Sequence, residues 1–505
     1  MRTYLSSISG KRKVNGMPWN SDALINDLGL KPVFNAMSGG DDFLLKTSME
    51  FLLAGCCSID EILYRQEILK DFMANTGVAL EIYRNAVDFT EYAKKQFFWF
   101  SNNDALSIEV SVDILRKFII YSGKLRALLY ESKKSFNSLG LKKFYSVISE
   151  DFGPDYLDRA MEYLDKLNFR DGVTLSMALG PGNSGRDYIL HEPYNSVSVK
   201  KTMKGILERH FTYTLHERDI GGAEEISDIK SRGLGKVATV LRIAARNVME
   251  FYNDIKREVG FYLAAINLME NIEAKNGKIC FPTPCHKRNM SFTGLYDLGL
   301  LLSTDMAIVP NSMESHDTGL FIITGTNRGG KSTFLRSIGQ AQILMQAGIF
   351  VPSEHFRANM VSGIYTHFKS EEDRNLNIGK FEDELSRMDE IVKHLTKGGM
   401  VLFNESFSST NTREGSDIAL EITRALLENE VAVFFVSHLY EFASAVAGSV
   451  EKKSMFLVAE RTEAGKHTYR IVGGKPQITG YGMDLYNKIF VAQDSNTGNL
   501  PGLDG

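Results

Sequence analysis

Residues 325–332 carry the pattern G-x-x-x-x-G-K-S, a glycine-rich loop that ends in a lysine and a hydroxyl group. The apolar segment GLFIIT precedes this loop, and a helix is predicted to run from Thr333 to about Ala347. Glycines let backbone N–H groups approach phosphates closely, and a helix N-terminus presents its positive dipole end to them. Lys331 is predicted to reach the β- and γ-phosphates of ATP, and Ser332 to bind Mg²⁺. The residues of this segment predicted to bind the nucleotide are Gly325, Thr326, Asn327, Arg328, Gly329, Gly330, Lys331, Ser332 and Thr333.

Two polar residues, Asn404 and Glu405, follow a second apolar segment, MVLF. Glu405 is predicted to act as a general base or to orient the attacking water. Asn404 stands where an aspartate of the Mg²⁺ shell is expected. Its amide oxygen can accept a hydrogen bond from a Mg²⁺-bound water, but it brings no charge. This position predicts weaker Mg²⁺ retention and slower hydrolysis than in an aspartate-containing relative.

His438 follows a third apolar segment, VAVFFVS. Open α/β sheets bind ligands at the carboxyl ends of their parallel strands. A lone histidine is more often structural, but this position favours contact with the γ-phosphate or the attacking water. Lys331, Glu405 and His438 are therefore the candidate catalytic residues.

These side chains require an α/β domain, which begins at about Leu295. The three apolar segments are typical of parallel strands that are buried on both faces. Upstream, residues 44–163 show mostly helical periodicity, and residues 173–190 read as strand, turn and strand.

Residues 234–269 carry a heptad-like seam that predicts one long helix. The seam is compatible with a core helix and with a rigid arm that extends from the catalytic domain, and its length favours the arm. The apolar positions are Leu234, Val237, Leu241, Ala244, Val248, Phe251, Ile255, Val259, Tyr262, Ile266 and Met269.

Composition narrows the class of protein. The chain has 505 residues and a net charge of −4, so bulk charge does not indicate a nucleic-acid binder. Its four cysteines are too few for a disulfide framework, and Cys280, Cys285 and His286 lack a second ligand pair at zinc-site spacing. No signal peptide or membrane-spanning segment is predicted, which favours a cytoplasmic protein.

Several segments together resemble the MutS family of DNA mismatch-repair ATPases. GTNRGGKSTFLRSIGQAQILMQAGIFVPSE is similar to that family's P-loop and following helix, and NESFSSTNTREGSDIALEI to its Walker B and D-loop segment. SHLYEF resembles the segment with the switch histidine, and GYG at 480–482 a late motif near the nucleotide. SIDEILYRQEILKDF is more weakly similar to the entry of the family's helical core and lever domain.

The resemblance implies a multidomain fold, with a mainly α-helical core and lever domain followed by a P-loop ATPase domain of ABC type. The implied boundaries are an N-terminal extension (1–39), core and levers (40–294), the ATPase domain (295–492) and a disordered tail (493–505). It also implies a homodimer whose ATP sites are completed across the interface, and levers that lead to a DNA clamp. Tyr296 is implied to stack on adenine.

The chain also departs from the family pattern. No Phe-x-Glu mismatch wedge precedes the core, so a short form without mismatch-recognition and connector domains is expected. Residues 170–215, with the basic run Lys200, Lys201 and Lys204, fit a reduced clamp or a simple solvated connection equally well. Gly379 stands where the family's signature loop has a serine, and Lys380 is predicted to supply a charge to the partner's site instead.

Two functions follow as hypotheses. The first is an ATP-gated, dimeric clamp on mismatched or non-B DNA, without contact to membranes. The alternative is a nucleotide-dependent assembly module that binds a protein or a ribonucleoprotein and hydrolyses ATP weakly.

Overall fold

The computed structural model describes residues 2–10, 16–97, 104–167, 172–191, 213–216, 218–369, 379–449, 454–462 and 466–476. The chain divides into two compact units, Met1–Arg12 with Lys70–Leu263, and Lys13–Leu69 with Ala264–Gly505. These units differ from the boundaries predicted at residues 40 and 295. The physical reason is that residues 16–69 and 264–294 pack with the α/β fold.

The described residues are rich in helix, with two small sheets and one larger sheet. The helices are α1 (Ser21–Asp27), α2 (Lys31–Ser38), α3 (Asp42–Ala54), α4 (Ile59–Ala74), α5 (Thr76–Phe97), α6 (Asp104–Ser132), α7 (Leu139–Asp151), α8 (Pro154–Lys166), α9 (Ile220–Ala274), α10 (Leu298–Ser303), α11 (Lys331–Ala347), α12 (Lys380–His394), α13 (Thr412–Glu428) and α14 (Tyr440–Ser449). The strands are β1 (Leu175–Leu179), β2 (Gly185–Leu190), β3 (Thr283–Cys285), β4 (Asn289–Leu295), β5 (Asn311–His316), β6 (Leu320–Thr324), β7 (His355–Asn359), β8 (Ile364–Phe368), β9 (Met400–Asn404), β10 (Ala432–Val436), β11 (Ser454–Arg461) and β12 (His467–Gly473).

The first unit is built around an aromatic core. The buried ring of Tyr252 on α9 packs against Phe89 of α5 and Phe118 of α6, with ring centroids 4.4 and 5.8 Å apart. The predicted seam lies within α9, which begins 14 residues earlier than expected and ends five residues later. Within this unit the seam residues from Leu234 to Tyr262 are buried or half-buried. The seam therefore forms the core face of the helix, as the core-helix interpretation predicts.

The strand, turn and strand predicted near residues 173–190 form an antiparallel hairpin. Its register pairs Leu175 with Leu190 and Leu179 with Gly185. Gly182 in the turn has φ = +69°, a left-handed conformation that a residue without a Cβ adopts easily. The basic residues Lys200, Lys201 and Lys204 lie outside the described residues, so the predicted reduced clamp stays a prediction.

The second unit contains a six-stranded sheet in the order β12-β11-β6-β10-β9-β8. Only β12 pairs antiparallel, and the three apolar segments identified in the sequence are β6, β9 and β10. All residues of β6 and β10 are buried, because helices cover both faces of a parallel sheet. A smaller sheet has the order β3-β7-β4-β5. The larger sheet thus places the ends of β6, β9 and β10 side by side.

The N-terminal residues predicted as an extension form α1 and α2 of the second unit. Helix α1 packs against β8, and α2 packs against α10. The next helix, α3, packs against α11. Asp41 begins α3 by accepting hydrogen bonds from the backbone N–H groups of Phe43 and Leu44. Within the described ranges, no helix combines the length and the apolar character that a membrane crossing requires.

Candidate active site

The glycine-rich loop joins β6 to α11 in the second unit. Gly330 is the N-cap of α11 and has φ = +90°, so a side chain at this position would be strained. A Cβ on Gly325 would lie 2.8 Å from the Cβ of Ala459 and 2.9 Å from its backbone nitrogen, so the loop approaches β11 closely. Strand, loop and helix follow one another as the sequence predicts, with α11 beginning at Lys331 rather than Thr333.

Lys331 lies beneath this loop and is 4% exposed. Its Nζ atom donates to the carbonyl oxygens of Gly325 and Thr326, at 2.9 and 2.8 Å. Burial lowers the pKa of Lys331, and the nearby carboxylate of Glu405 opposes that shift. The loop thus holds a cation close to the start of α11, where phosphate groups bind in such loops.

Ser332 and Asn404 are in direct contact. The Oγ atom of Ser332 donates to the Oδ1 atom of Asn404 at 2.8 Å, although the residues are 72 positions apart. The contact forms because β6 and β9 flank β10 and all three strands are parallel. It brings two oxygen atoms together, the kind of ligand that Mg²⁺ prefers.

Glu405 and His438 form a second contact at the same sheet edge. The Nε2 atom of His438 lies 3.0 Å from Oε1 of Glu405, and their side chains are 26% and 36% exposed. Glu405 adopts φ = +58°, which is unusual for a residue with a Cβ. The pKa of Glu405 is lowered, chiefly by the hydrogen bond with His438, with further contributions from the charges of His438, Lys331 and Lys369. The carboxylate is therefore kept ionised and accessible.

A cavity of about 390 Å³ opens beside the loop. Its lining includes Glu405 and Tyr469 of β12. Asn311 holds that part of β12, because its side chain donates to the carbonyl oxygen of Tyr469 at 3.4 Å and accepts from the N–H of Ile471 at 2.7 Å. The residues that line the cavity are Leu300, Thr304, Met306, Ala307, Ile308, Val309, Asn311, Asn327, Arg328, Gly329, Gly330, Lys331, Ser332, Thr333, Glu405 and Tyr469.

Two family models match the chain: the MutS2 N-terminal domain over residues 57–275 and MutS domain V over residues 321–494. The chain belongs to the MutS family. The mismatch repair protein MutS of Thermus aquaticus is 32% identical over 178 residues, which are 35% of this chain and 22% of that protein. The MutS of Thermus thermophilus is 31% identical over 180 residues, with the same shares. The human MutS protein homolog 4 is 27% identical over 189 residues, 36% of this chain and 20% of that protein.

The alignments with these MutS relatives span about a fifth of each relative's length. The match to MutS domain V contains the loop at 325–332, Asn404, Glu405 and His438, so these residues lie in the region that the family shares. The match to the MutS2 N-terminal domain contains α4 to α9.

Tyr296, to which the MutS resemblance assigned adenine stacking, does not line the cavity. It is 8% exposed, and its hydroxyl group donates to the carbonyl oxygen of Lys278 at 2.8 Å. Burial raises its pKa well above the usual range. Tyr296 is therefore a core residue in this structure. The apolar wall of the cavity comes from Met306, Ile308 and Val309, and its aromatic ring from Tyr469.

Gly379 and Lys380, the signature-loop residues of the MutS resemblance, lie at the start of α12. Gly379 is the N-cap of this helix with extended backbone angles, and a Cβ there would meet no atom within 4 Å. The structure does not bring these two residues into the cavity lining. Residues 370–378, which precede them, and GYG at 480–482 lie outside the described residues.

Sequence reasoning missed Tyr469 and Asn311. Both lie on strands without a catalytic motif, and these strands belong to different sheets, so only tertiary packing brings the two residues together beside the loop. No metal-binding cluster of three or more His, Cys, Asp or Glu occurs among the residues that the structure describes. Within that part of the chain, the Sγ atom of Cys280 lies 3.2 Å from Oγ of Ser353 and that of Cys285 lies 3.3 Å from the carbonyl oxygen of Lys287.

Proposed function

We propose that this chain is an ATPase of MutS type that acts as a dimeric, ATP-gated clamp on mismatched or non-B DNA. One observation carries the proposal. Lys331, Ser332 and Glu405 line one cavity at the carboxyl edge of a parallel sheet. Asn404 contacts Ser332 and His438 contacts Glu405 at the same edge. This arrangement supplies a phosphate-binding cation, two metal-ligating oxygens and an oriented base, which are the parts that hydrolysis of a nucleoside triphosphate requires.

The residues present fit ATP and Mg²⁺. A cavity of about 390 Å³ whose lining combines a glycine-rich loop with apolar residues and one aromatic residue suits the polar and planar parts of a nucleotide. Ser332 and Asn404 would hold Mg²⁺ directly or through a water molecule. When bound there, Mg²⁺ would neutralise negative charge on the β- and γ-phosphates.

The chain's own groups account for the rest of the chemistry. The N–H groups of the loop and Lys331 bind the phosphates. The carboxylate of Glu405 orients the attacking water and accepts its proton. His438 holds that carboxylate in place and, by lowering its pKa, keeps it ionised. Asn404 contributes no negative charge, so turnover is slow.

The DNA part of the proposal is supported by the family match and by the printed names of the Thermus relatives, which are DNA mismatch repair proteins. In the proposed cycle, ATP closes a dimer through the second unit, and Lys380 at the start of α12 faces the partner's nucleotide. Binding then favours one of two conformations, and the closed one retains DNA. Phosphate contacts would make such binding sensitive to salt.

The proposal is tested by measuring ATP turnover with and without duplex, mismatched and branched DNA at low and moderate salt. We expect one form of DNA to change turnover, the effect to weaken with salt, and both turnover and effect to disappear in Lys331→Ala. If the protein binds and hydrolyses ATP at the same rate with and without every form of DNA, the proposed DNA clamp is contradicted.

A second function is favoured by the net charge of −4, which does not attract nucleic acid. In this alternative, the chain is a nucleotide-dependent assembly module that binds a protein or a ribonucleoprotein. This alternative would be supported if turnover is unchanged by DNA but changes when a ribonucleoprotein fraction is added. The change should be absent in Lys331→Ala.

A further inference from the structure

The segment that follows β9 has an unusual backbone. Glu405 and Phe407 both adopt left-handed conformations, with φ of +58° and +60°, and Ser406 between them is 1% exposed. Residues with a Cβ adopt this conformation only when their surroundings hold them in it. Because Glu405 is the proposed catalytic base, whatever holds residues 405–409 also sets the position of its carboxylate.

Glu384 of α12 binds this segment through its side chain. Its side chain is buried, with 2% of the residue exposed. Its Oε2 atom accepts from the backbone N–H of Phe407 at 2.6 Å, and its Oε1 atom accepts from Oγ of Ser409 at 2.8 Å. Hydrogen bonds are electrostatically stronger in a dry interior than in water, and an acceptor that loses its donor there is costly. Both oxygens of one buried carboxylate therefore bind the segment that carries Glu405.

His367 of β8 joins the same network. Its Nε2 atom lies 2.9 Å from the carbonyl oxygen of Glu384, and its Nδ1 atom lies 2.7 Å from Oγ of Ser406. A carbonyl oxygen can only accept, so Nε2 carries the proton of the neutral ring. The Ser406 hydroxyl has one proton and lies 2.7 Å from Nδ1 and 2.6 Å from the carbonyl oxygen of His367, two acceptors that both bind it to β8. The contact continues the path from α12 to the residue next to Glu405.

We propose that Glu384 is a positioning residue of the ATPase site, whose carboxylate fixes residues 405–409 and so holds Glu405 against His438. This inference rests on the proposed ATPase function. Glu384 lies four residues after Lys380, so the network also links the start of α12 to the base. A displacement of this end of α12 would move the hydrogen-bond acceptor of Phe407 and would change the position of Glu405.

The test compares Glu384→Ala and Glu384→Gln with Glu390→Ala. Glu390 lies on the same helix and is exposed. It forms an ion pair with Lys393 at the surface, and such exposed pairs contribute little stability. We expect Glu384→Ala to lower kcat by about tenfold or more, while the dissociation constant for ATP stays within about twofold of the wild-type value. Glu384→Gln keeps an oxygen that accepts from the N–H of Phe407, and it places an amide N–H opposite Ser409, whose hydroxyl would then accept instead of donate. It should therefore recover most of the turnover. Glu390→Ala should match the wild type.

Amide hydrogen exchange gives a readout that does not depend on turnover. In Glu384→Ala, exchange over residues 403–410 should rise about tenfold, while residues 325–333 stay unchanged. Unchanged exchange over 403–410, or an equal rise in both segments, would overturn the proposal. Equal losses of kcat and ATP affinity would do the same, because they would indicate general damage to the fold.

Two further outcomes separate the hypotheses. If the wild type binds ATP without hydrolysing it, the proposed function fails, and the exchange measurement still decides whether Glu384 holds the segment. If Glu384→Ala does not fold, Ser409→Ala removes one of the two side-chain contacts. Ser409→Ala should then raise amide exchange over residues 403–410 but not over 325–333, and by less than the rise of about tenfold expected for Glu384→Ala. The absence of any rise would overturn the proposal.

Discussion

The Nε2 atom of His438 lies 3.0 Å from the Oε1 atom of Glu405, across 33 residues of sequence. The contact exists because β9 and β10 are adjacent parallel strands, in register from Met400 with Ala432 to Asn404 with Val436. Each of the two residues lies just beyond the end of its strand, so their side chains meet at one edge of the sheet. His438 is thus a partner of the candidate base, beyond its predicted contacts with phosphate or water.

Replacing His438 by alanine should move the acid limb of the kcat–pH profile to higher pH. The hydrogen bond from His438 is the largest cause of the lowered pKa of Glu405. Without it, the carboxylate becomes protonated, and loses its function as a base, at a higher pH than in the wild type. His316→Ala is the control, since His316 is exposed and contacts Glu314. An acid limb at the same pH in His438→Ala and wild type would refute this coupling.

Asn404→Asp should strengthen the binding of Mg²⁺. The variant places a negative charge 2.8 Å from the position of the Ser332 hydroxyl, where the amide oxygen now accepts its hydrogen bond. We expect the Mg²⁺ concentration for half-maximal turnover to fall about tenfold and kcat to rise severalfold, since charge is what the amide lacks. A Mg²⁺ titration of ATP turnover measures both quantities. If neither quantity changes, the missing charge at Asn404 does not limit Mg²⁺ binding or turnover. Asn404→Ala, which removes the amide oxygen, should shift both quantities in the opposite direction.

Tyr469→Ala should weaken ATP binding, whereas Tyr296→Phe should not. Tyr469 lines the cavity, and stacking of a base on an aromatic ring contributes about 1–3 kcal/mol, or roughly 5- to 150-fold in affinity. Tyr296 is buried, and its replacement removes one hydrogen bond to Lys278. Fluorescence titration with an ATP analogue labelled on the ribose distinguishes the two. A larger loss in Tyr296→Phe than in Tyr469→Ala would restore the adenine assignment of Tyr296.

His367 should make the fold lose stability as pH falls. Burial lowers the pKa of this histidine from 6.5 to about 4, so the unfolded chain takes up the proton first as the pH is lowered. The contribution is fully present above pH 6.5 and declines toward pH 4, with a loss of about 2 kcal/mol at pH 5. In His367→Gln, the difference in unfolding free energy between pH 7.5 and pH 5 should shrink by about that amount. Urea unfolding at the two pH values measures it, and an undiminished difference would assign the effect to other groups.

Lys380→Ala should weaken ATP-induced dimerisation and lower turnover, if this lysine serves the partner's nucleotide. Removing a charge that faces phosphate costs affinity for the closed dimer, so the effect should grow as protein concentration falls. Sedimentation with a slowly hydrolysed ATP analogue measures the dimer, and Lys397→Ala, which removes an exposed lysine paired with Glu430, is the control. Unchanged dimerisation and turnover in Lys380→Ala would exclude this role.

Local patterns predicted much of the fold correctly. The apolar segments are the buried strands β6, β9 and β10, the hairpin lies at residues 175–190, and α11 follows the glycine-rich loop. The prediction was less accurate where packing between distant segments decides the outcome. Residues 21–38 form helices that join the α/β unit, and no periodicity in a short amphipathic helix specifies which domain it packs against. The bounds of α9 were also too narrow, because exposed helix ends carry no apolar pattern.

By itself, the sequence predicted the glycine-rich loop between β6 and α11, because its glycines, lysine and serine lie within residues 325–332 and act through backbone geometry that local sequence controls. It also placed Asn404, Glu405 and His438 at strand ends. Tertiary structure alone decided that Ser332 contacts Asn404, that Tyr469 rather than Tyr296 lines the cavity, and that Glu384 binds residues 405–409. These relationships join residues that are far apart in the chain, and only the order and register of the strands and the packing of α12 bring them within hydrogen-bonding distance.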